Sequence, residues 1–142
     1  MRALLDVNCL LSLMDEDHIH HNRAAAWWRQ EGRFGWASCA LTQNGYLRIS
    51  SQRSYPNPQP LQAALSRLAR QIRDSDHQFW PDDITITDET LFDHAFILGP
   101  NQLTDVYLLG LAVKRGGRLV TFDRGLPLKA VRGAELRHLV VL

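Results

Sequence analysis

Three carboxylates stand where chemistry could begin: Asp6, Asp105 and Asp123. Asp6 closes the run Arg2-Ala3-Leu4-Leu5, and Asp123 closes Arg118-Leu119-Val120-Thr121-Phe122. Each run reads as a short buried strand with an acid at its carboxyl end. Asp105 falls in the first turn of an apolar helix that opens after Gly99-Pro100-Asn101, where the helix dipole favours an anion. In a parallel α/β sheet, ligands bind beyond the carboxyl ends of the strands, so the three acids would share one cleft. Carboxylates held together repel one another unless a cation neutralises them, and an all-oxygen ligand set suits Mg²⁺ or Mn²⁺. Such an ion polarises a phosphoryl oxygen and supplies hydroxide, which is the chemistry of phosphodiester hydrolysis. A single Asp after a strand is more ordinarily a helix N-cap; the convergence of three carries the catalytic reading.

The elements that must position these acids alternate between strand and helix. Residues 1–6 read as a strand and 8–14 as a helix. A helix over residues 18–30 follows, with Asp17 as its N-cap and Trp27 and Trp28 on its apolar side. Residues 35–39 form a second strand and 41–49 a helix. The proline-rich stretch 54–60 is a loop. Residues 61–72 are amphipathic: Leu61, Ala64, Leu65, Leu68 and Ile72 share a face, with Arg67, Arg70 and Arg73 largely off it. A strand is expected near residues 84–86 and a short helix over 91–98. Asn101 is expected to cap a buried helix that runs to about Arg115 and stops at Gly116-Gly117. Residues 118–122 and 138–142 complete the strands. This alternation predicts an α/β fold, a three-layer α/β/α sandwich with a central, mainly parallel sheet.

The composition bounds the class. The chain has 142 residues, about one domain's worth, so a single domain over residues 1–142 is expected. With 45% hydrophobic and 22% charged residues it is neither disordered nor a coiled coil. No stretch approaches the ~20 apolar residues of a membrane span. The apolar run at the N-terminus is far too short for a signal peptide. Two cysteines, Cys9 and Cys39, make no disulfide framework, and the expected compartment is a reducing cytoplasm.

Net charge is only +1, yet the charges are segregated. Residues 32–73 hold six arginines and no acid; residues 74–113 hold eight acids and no Lys or Arg. From Lys114 onward seven bases face only Asp123 and Glu135. The blocks either set basic surface beside an acidic pocket or neutralise one another in the fold.

Six stretches, in order and spanning almost the whole chain, carry a family resemblance. They are Leu4-Leu5-Asp6-Val7-Asn8-Cys9-Leu10-Leu11, His20-His21-Asn22-Arg23-Ala24-Ala25-Ala26-Trp27 and Leu41-Thr42-Gln43-Asn44-Gly45-Tyr46-Leu47-Arg48. The others are His77-Gln78-Phe79-Trp80-Pro81-Asp82-Asp83, Gln102-Leu103-Thr104-Asp105-Val106-Tyr107-Leu108-Leu109 and Leu119-Val120-Thr121-Phe122-Asp123-Arg124-Gly125-Leu126. Each is weakly specific, and the set is strongly so. In these stretches the chain resembles the PIN-domain ribonucleases, specifically the VapC-type toxins of bacterial type II toxin–antitoxin pairs. The resemblance implies a Mg²⁺- or Mn²⁺-dependent endoribonuclease in which Asp6, Asp105 and Asp123 hold the ion and are catalytic, with Asn8 and Thr121 as polar neighbours. It also implies a small VapB-like antitoxin that blocks the cleft, and a homodimer.

The chain departs from the pattern at Gln43, where many PIN nucleases carry Glu. Gln43 can hydrogen-bond a metal-bound water but adds no charge, which bears on how many ions are held. The arginines outside the pocket, Arg48, Arg67 and Arg70 among them, would hold the RNA backbone, since a planar guanidinium suits phosphate. Two rival functions remain open: a DNA-directed nuclease on the same site, and a catalytically silent RNA-binding module left short of charge by Gln43. Other candidates weigh less. His18, His20 and His21 provide no ligand pair at helical i, i+4 spacing and read as helix surface. Trp27, Trp28, Phe79 and Trp80 read as core or interface packing rather than base-stacking groups. Asp82 and Asp83 read as a solvated loop, and Cys9 as a packed residue.

Overall fold

The computed structural model describes residues 1–142. Five short strands make one parallel sheet: β1 (Ala3–Leu5), β2 (Trp36–Ser38), β3 (His77–Phe79), β4 (Arg118–Thr121) and β5 (Leu139–Val141). Their order across the sheet is β3-β2-β1-β4-β5. The helices are α1 (Val7–Met14), α2 (His21–Glu31), α3 (Ala40–Ser50), α4 (Leu61–Asp74) and α5 (Leu103–Lys114).

Both faces of the sheet are covered, which is why the central strands are apolar on successive residues rather than on alternate ones. Ala3, Leu5, Trp36 and Val120 pack with Leu10 of α1, Tyr46 of α3 and Leu68 of α4. On the other face Leu4, Ala37 and Leu119 pack with Val106 and Leu109 of α5. The result is the expected α/β/α sandwich.

From β1 the chain steps outward through β2 to β3, then returns to lay β4 on the opposite side of β1. That reversal parts the connections leaving the carboxyl ends of β1 and β4 and opens a crevice between them. Gly45 lets α3 close on α1: a Cβ there would lie 2.5 Å from Val7 Cγ2.

Four local expectations are corrected. The third strand is β3, not residues 84–86. Ile84 instead packs as loop against the α5 side, its carbonyl accepting from the Tyr107 hydroxyl at 3.1 Å. β3 is an exposed edge strand, so it carries little apolar pattern to read. Residues 91–98 hold no α-helix; Phe92 forms an isolated bridge with Val131, and Asp93 caps a single 3₁₀ turn, His94–Phe96. Asn101 does not cap α5, because the 3₁₀ turn Pro100–Gln102 runs directly into it and makes Gln102 the N-cap residue. Asp17 does not cap α2; it lies in a turn where its N–H donates to Asp15, and His20 precedes the helix.

Candidate active site

Asp6 lies one residue beyond β1 and is the N-cap of α1. Its Oδ1 accepts from the Cys9 N–H at 2.7 Å, and its own N–H donates to the Val120 carbonyl at 3.2 Å. One backbone bond thus ties it to β4 and one side-chain bond starts the helix, leaving the side chain only 4% exposed. Along β1, Asp6 continues the face of Leu4, and along β4, Thr121 continues the face of Leu119. Both therefore turn toward the α5 side of the sheet.

Asp123 stands two residues past the end of β4. Its N–H donates to Thr121 Oγ1 at 3.0 Å and its Oδ1 accepts from the Gly125 N–H at 2.8 Å. Asp105 is half-buried in the first turn of α5.

These acids act on one another. Burial pushes the Asp6 carboxyl above its ordinary range against hydrogen bonds from Thr121 and Cys9, and the Asp123 charge adds to the rise. Asp105 is pushed up to about 6 by burial and then by the Asp6 charge. Protonated Asp105 also shares a hydrogen bond with the Asp123 carboxylate, which holds the proton further. None of the three is in a salt bridge.

The charge blocks elsewhere do neutralise one another. Asp83 pairs with Arg115 at 2.8 Å and Lys114 at 3.4 Å, and Asp93 with Arg132 at 3.5 Å. The three acids at the crevice take no part in this pairing. An oxygen-only donor set with uncompensated charge fits a hard divalent cation. The fit is incomplete as it stands, because no three His, Cys, Asp or Glu side chains are arranged closely enough to enclose one ion. Like charges favour separation, and the charges of Asp6 and Asp123 add to burial in raising the Asp105 carboxyl.

The remaining sequence candidates distribute unevenly. Thr121 is buried at the end of β4, and its hydroxyl serves both Asp6 and the Asp123 backbone. Asn8 is exposed in the first turn of α1. Gln43 sits in the first turn of α3, and its Nε2 donates to Ser38 Oγ at the end of β2 at 2.9 Å.

Arg48, Arg67 and Arg70 are exposed but are not brought to the crevice. Arg48 lies in the last turn of α3, which starts at the carboxyl edge and runs away from it. Helix α4 leads into the amino end of β3, so Arg70 lies toward the opposite edge. Arg67 lines an apolar cavity of about 210 Å³ with Leu10, Met14, Trp28, Trp36 and Arg29, on the sheet face opposite α5. The histidines are occupied locally: His18 Nδ1 accepts from the His20 N–H, His21 Nδ1 lies 2.8 Å from the Ser12 carbonyl, and His20 stacks on Phe122.

Sequence reasoning missed two residues here. Arg124 is exposed directly after Asp123, and a base beside a strand-end acid was the signal for it. Gln102 had no such signal. Its Nε2 donates to the Gly125 carbonyl at 3.3 Å and its Oε1 accepts from the Leu98 N–H at 3.0 Å, clipping the Asp123 loop to the start of the helix that carries Asp105.

Known proteins share this fold. The PIN domain family matches residues 3–132. The chain is 49% identical over 142 residues to Ribonuclease VapC44 of Mycobacterium tuberculosis, covering all of both chains. It is 40% identical over 134 residues to Ribonuclease VapC39 of the same species, covering 94% of this chain and 96% of that one. Among solved structures, M. tuberculosis VapC20, described as a sarcin-ricin loop cleaving toxin, superposes with a TM-score of 0.60 at 11% identity, over 87% of this chain and 91% of that one. VapBC2 from Rickettsia felis, solved bound to a DNA fragment from its promoter, gives 0.56 at 14% identity, over 87% and 89%. With a domain match over nearly its full length and ribonuclease relatives aligned end to end, the chain belongs to the PIN-domain family, among the VapC ribonucleases.

Proposed function

We propose that this chain is the endoribonuclease toxin of a type II toxin–antitoxin pair, acting in the cytoplasm as one catalytic domain over residues 1–142. Asp6, Asp105 and Asp123 would hold a Mg²⁺ or Mn²⁺ ion. The observation that carries this is the set of three carboxylates from β1, α5 and the end of β4, unpaired with any base, with Asp6 and Asp105 both raised above the ordinary carboxylate range.

When bound, such an ion polarises a phosphoryl oxygen and makes a bound water acidic. The chain's own part is positioning. Cys9 N–H and the Thr121 hydroxyl orient the Asp6 carboxylate before any ligand arrives. Gly125 N–H orients Asp123, and Gln102 holds the Gly125 peptide in place. Asp105, its carboxyl pushed up to about 6, would hold a cation in competition with a proton. Arg124, exposed at the edge, is placed to meet an RNA phosphate near the cut. Arg48, Arg67 and Arg70 would meet backbone only farther along a longer strand.

The protein partner is proposed to be a small VapB-like antitoxin. The apolar cavity between α1, α2 and α4, flanked by Arg29 and Arg67, offers a seat for an apolar side chain of an acidic segment. A homodimer follows from the same family reading, and light scattering checks it. No helix is long and apolar enough to cross a membrane.

The deciding experiment is cleavage of matched RNA and DNA oligonucleotides with Mg²⁺, Mn²⁺ or chelator. RNA cut only with metal is expected. DNA cut equally well would favour the DNA-directed nuclease, and RNA bound but uncut under saturating Mn²⁺ would favour the silent module.

A further inference from the structure

Gln43 is the chain's departure from the acidic pattern, and its surroundings give the amide a definite environment. Ser38 is fully buried at the carboxyl end of β2. Its Oγ meets two side chains: Gln43 Nε2 at 2.9 Å and His77 Nε2, from β3, at 2.8 Å. A serine hydroxyl has one proton to donate. With Nε2 of His77 bare, Ser38 donates to the imidazole and accepts from the Gln43 amide. The Gln43 carbonyl oxygen is then the free end at the carboxyl edge. With Nε2 protonated, His77 donates to Ser38, and the buried hydroxyl proton no longer has the imidazole as its acceptor. Of its two side-chain partners only the Gln43 amide then carries an acceptor, so turning the amide over satisfies the hydroxyl and makes the NH₂ the free end.

We infer that His77, acting through Ser38, is a positioning residue that decides whether Gln43 presents a hydrogen-bond acceptor or a donor at the carboxyl edge. The acceptor form is the one the structure holds, with the Gln43 NH₂ on Ser38. Burial, and after it the charge of Arg2, lower the His77 pKa, while Asp76 opposes them. Arg2 and Asp76 are the charged groups acting on the ring; they pair with each other at 2.9 Å, and the Trp36 ring packs against the imidazole at 4.4 Å. The same logic accounts for an amide at this position. A glutamate could only accept from Ser38, which would require a protonated Nε2 on His77. A bare Nε2 on His77 and a glutamine at 43 therefore belong together. The consequence for catalysis rests on the proposed nuclease site; the hydrogen-bond relay does not.

Asp105 titrates in an overlapping range, so cleavage rates alone would not isolate His77, and the test is spectroscopic. Long-range ¹H–¹⁵N spectra of the full chain in chelator should show His77 with a bare Nε2 near pH 7.5. The Gln43 side-chain NH₂ resonances should move with the His77 titration. In Gln43→Glu the His77 pKa should rise by about one unit or more. In Ser38→Ala the Gln43 NH₂ should no longer follow His77. An Nε2–H tautomer in the parent at neutral pH overturns the inference, as does a His77 titration unchanged by Gln43→Glu. The parent measurement stands even if a variant fails to fold. A parent that shows the relay but cuts no RNA would remove the nuclease reading and leave the relay intact.

Discussion

Helix α1 carries a buried aspartate at each end, and the two have opposite environments. Asp6 caps its N-terminus and Asp15 closes its C-terminus; they are 4% and 6% exposed. At Asp15 burial raises the carboxyl pKa, but hydrogen bonds more than offset it. The Tyr55 hydroxyl donates at 2.6 Å, Asn57 Nδ2 at 3.0 Å and the Asp17 N–H at 3.0 Å, and the carboxyl ends below its ordinary range. At Asp6 burial is deep enough that hydrogen bonds from Thr121 and Cys9 do not offset it, the Asp123 charge adds to the rise, and the carboxyl ends above it. Asp15 is a structural clamp that fastens the proline-rich loop to the end of α1. Asp6 belongs to a cluster whose charge is left uncompensated within the chain. The residues are similarly covered at the two ends, but the Asp6 carboxyl lies much deeper in the fold and beside another acid, whereas the Asp15 carboxyl lies near the surface among three donors and close to His18; depth and neighbouring charge set the opposite shifts.

The largest effect should come from breaking the cluster. Asp6→Asn, Asp105→Asn and Asp123→Asn are each expected to lower metal-dependent RNA cleavage by at least about 100-fold while circular dichroism stays that of the parent. Three variants that cut like the parent would move the site elsewhere.

The same comparison predicts stability changes of opposite sign. Asp15→Ala strands the Tyr55 hydroxyl and Asn57 and should destabilise by about 2–4 kcal/mol, a fall in Tm on the order of 10 °C. In chelator, Asp105→Asn relieves repulsion and should stabilise by about 1–2 kcal/mol, a rise of a few degrees. A destabilised Asp105→Asn would mean that the cluster is held by contacts rather than strained by charge.

The pH dependence sharpens this. The Asp105 pKa is higher in the folded chain, about 6 against an ordinary 3.8, so the folded state binds the proton more tightly. Metal-free stability should therefore fall as pH rises from about 4 to about 6, and Asp105→Asn should flatten that slope. The Asp15 pKa is lower in the folded chain, so its contribution is present above the ordinary value and is lost as pH falls below it. Thermal melts in chelator across pH 3–8 read both windows.

The smallest effect concerns RNA grip. Arg124→Ala, in an Asp6→Asn background, should reduce the salt slope of RNA binding by about 0.7, one phosphate contact on a single strand. Replacing Arg48, Arg67 and Arg70 together should lower the slope for long RNA and leave it unchanged for an oligonucleotide that only spans the crevice. An equal loss on both would place α3 and α4 at the cut.

What could be read without the structure followed from local pattern. Strand runs ending at Asp6 and Asp123, and a buried helix with Asp105 in its first turn, are short-range features. Both periodicity and the parallel-sheet rule act on them directly. The elements that escaped are those with little apolar pattern or with competing turn chemistry. β3 is three residues on an exposed edge. Residues 84–98 are apolar enough to look regular, yet Asp88 and Asp93 draw the backbone into capped turns. The exposure of the α4 arginines can be read from periodicity, whereas the edge of the sheet they occupy cannot.

The chain by itself therefore determined the alternation of strands and helices, the apolar faces, and which acids end strands, because each depends on residues within a turn or two of one another. Only the tertiary structure decided which acids lie together without a base, that Asp15 is clamped while Asp6 is not, and that Ser38 joins Gln43 to His77. Those contacts join residues tens of positions apart, as Asp15 meets Tyr55 and Ser38 meets His77. Pairing over such distances is set by strand order and helix packing, and no local pattern of residue types encodes it.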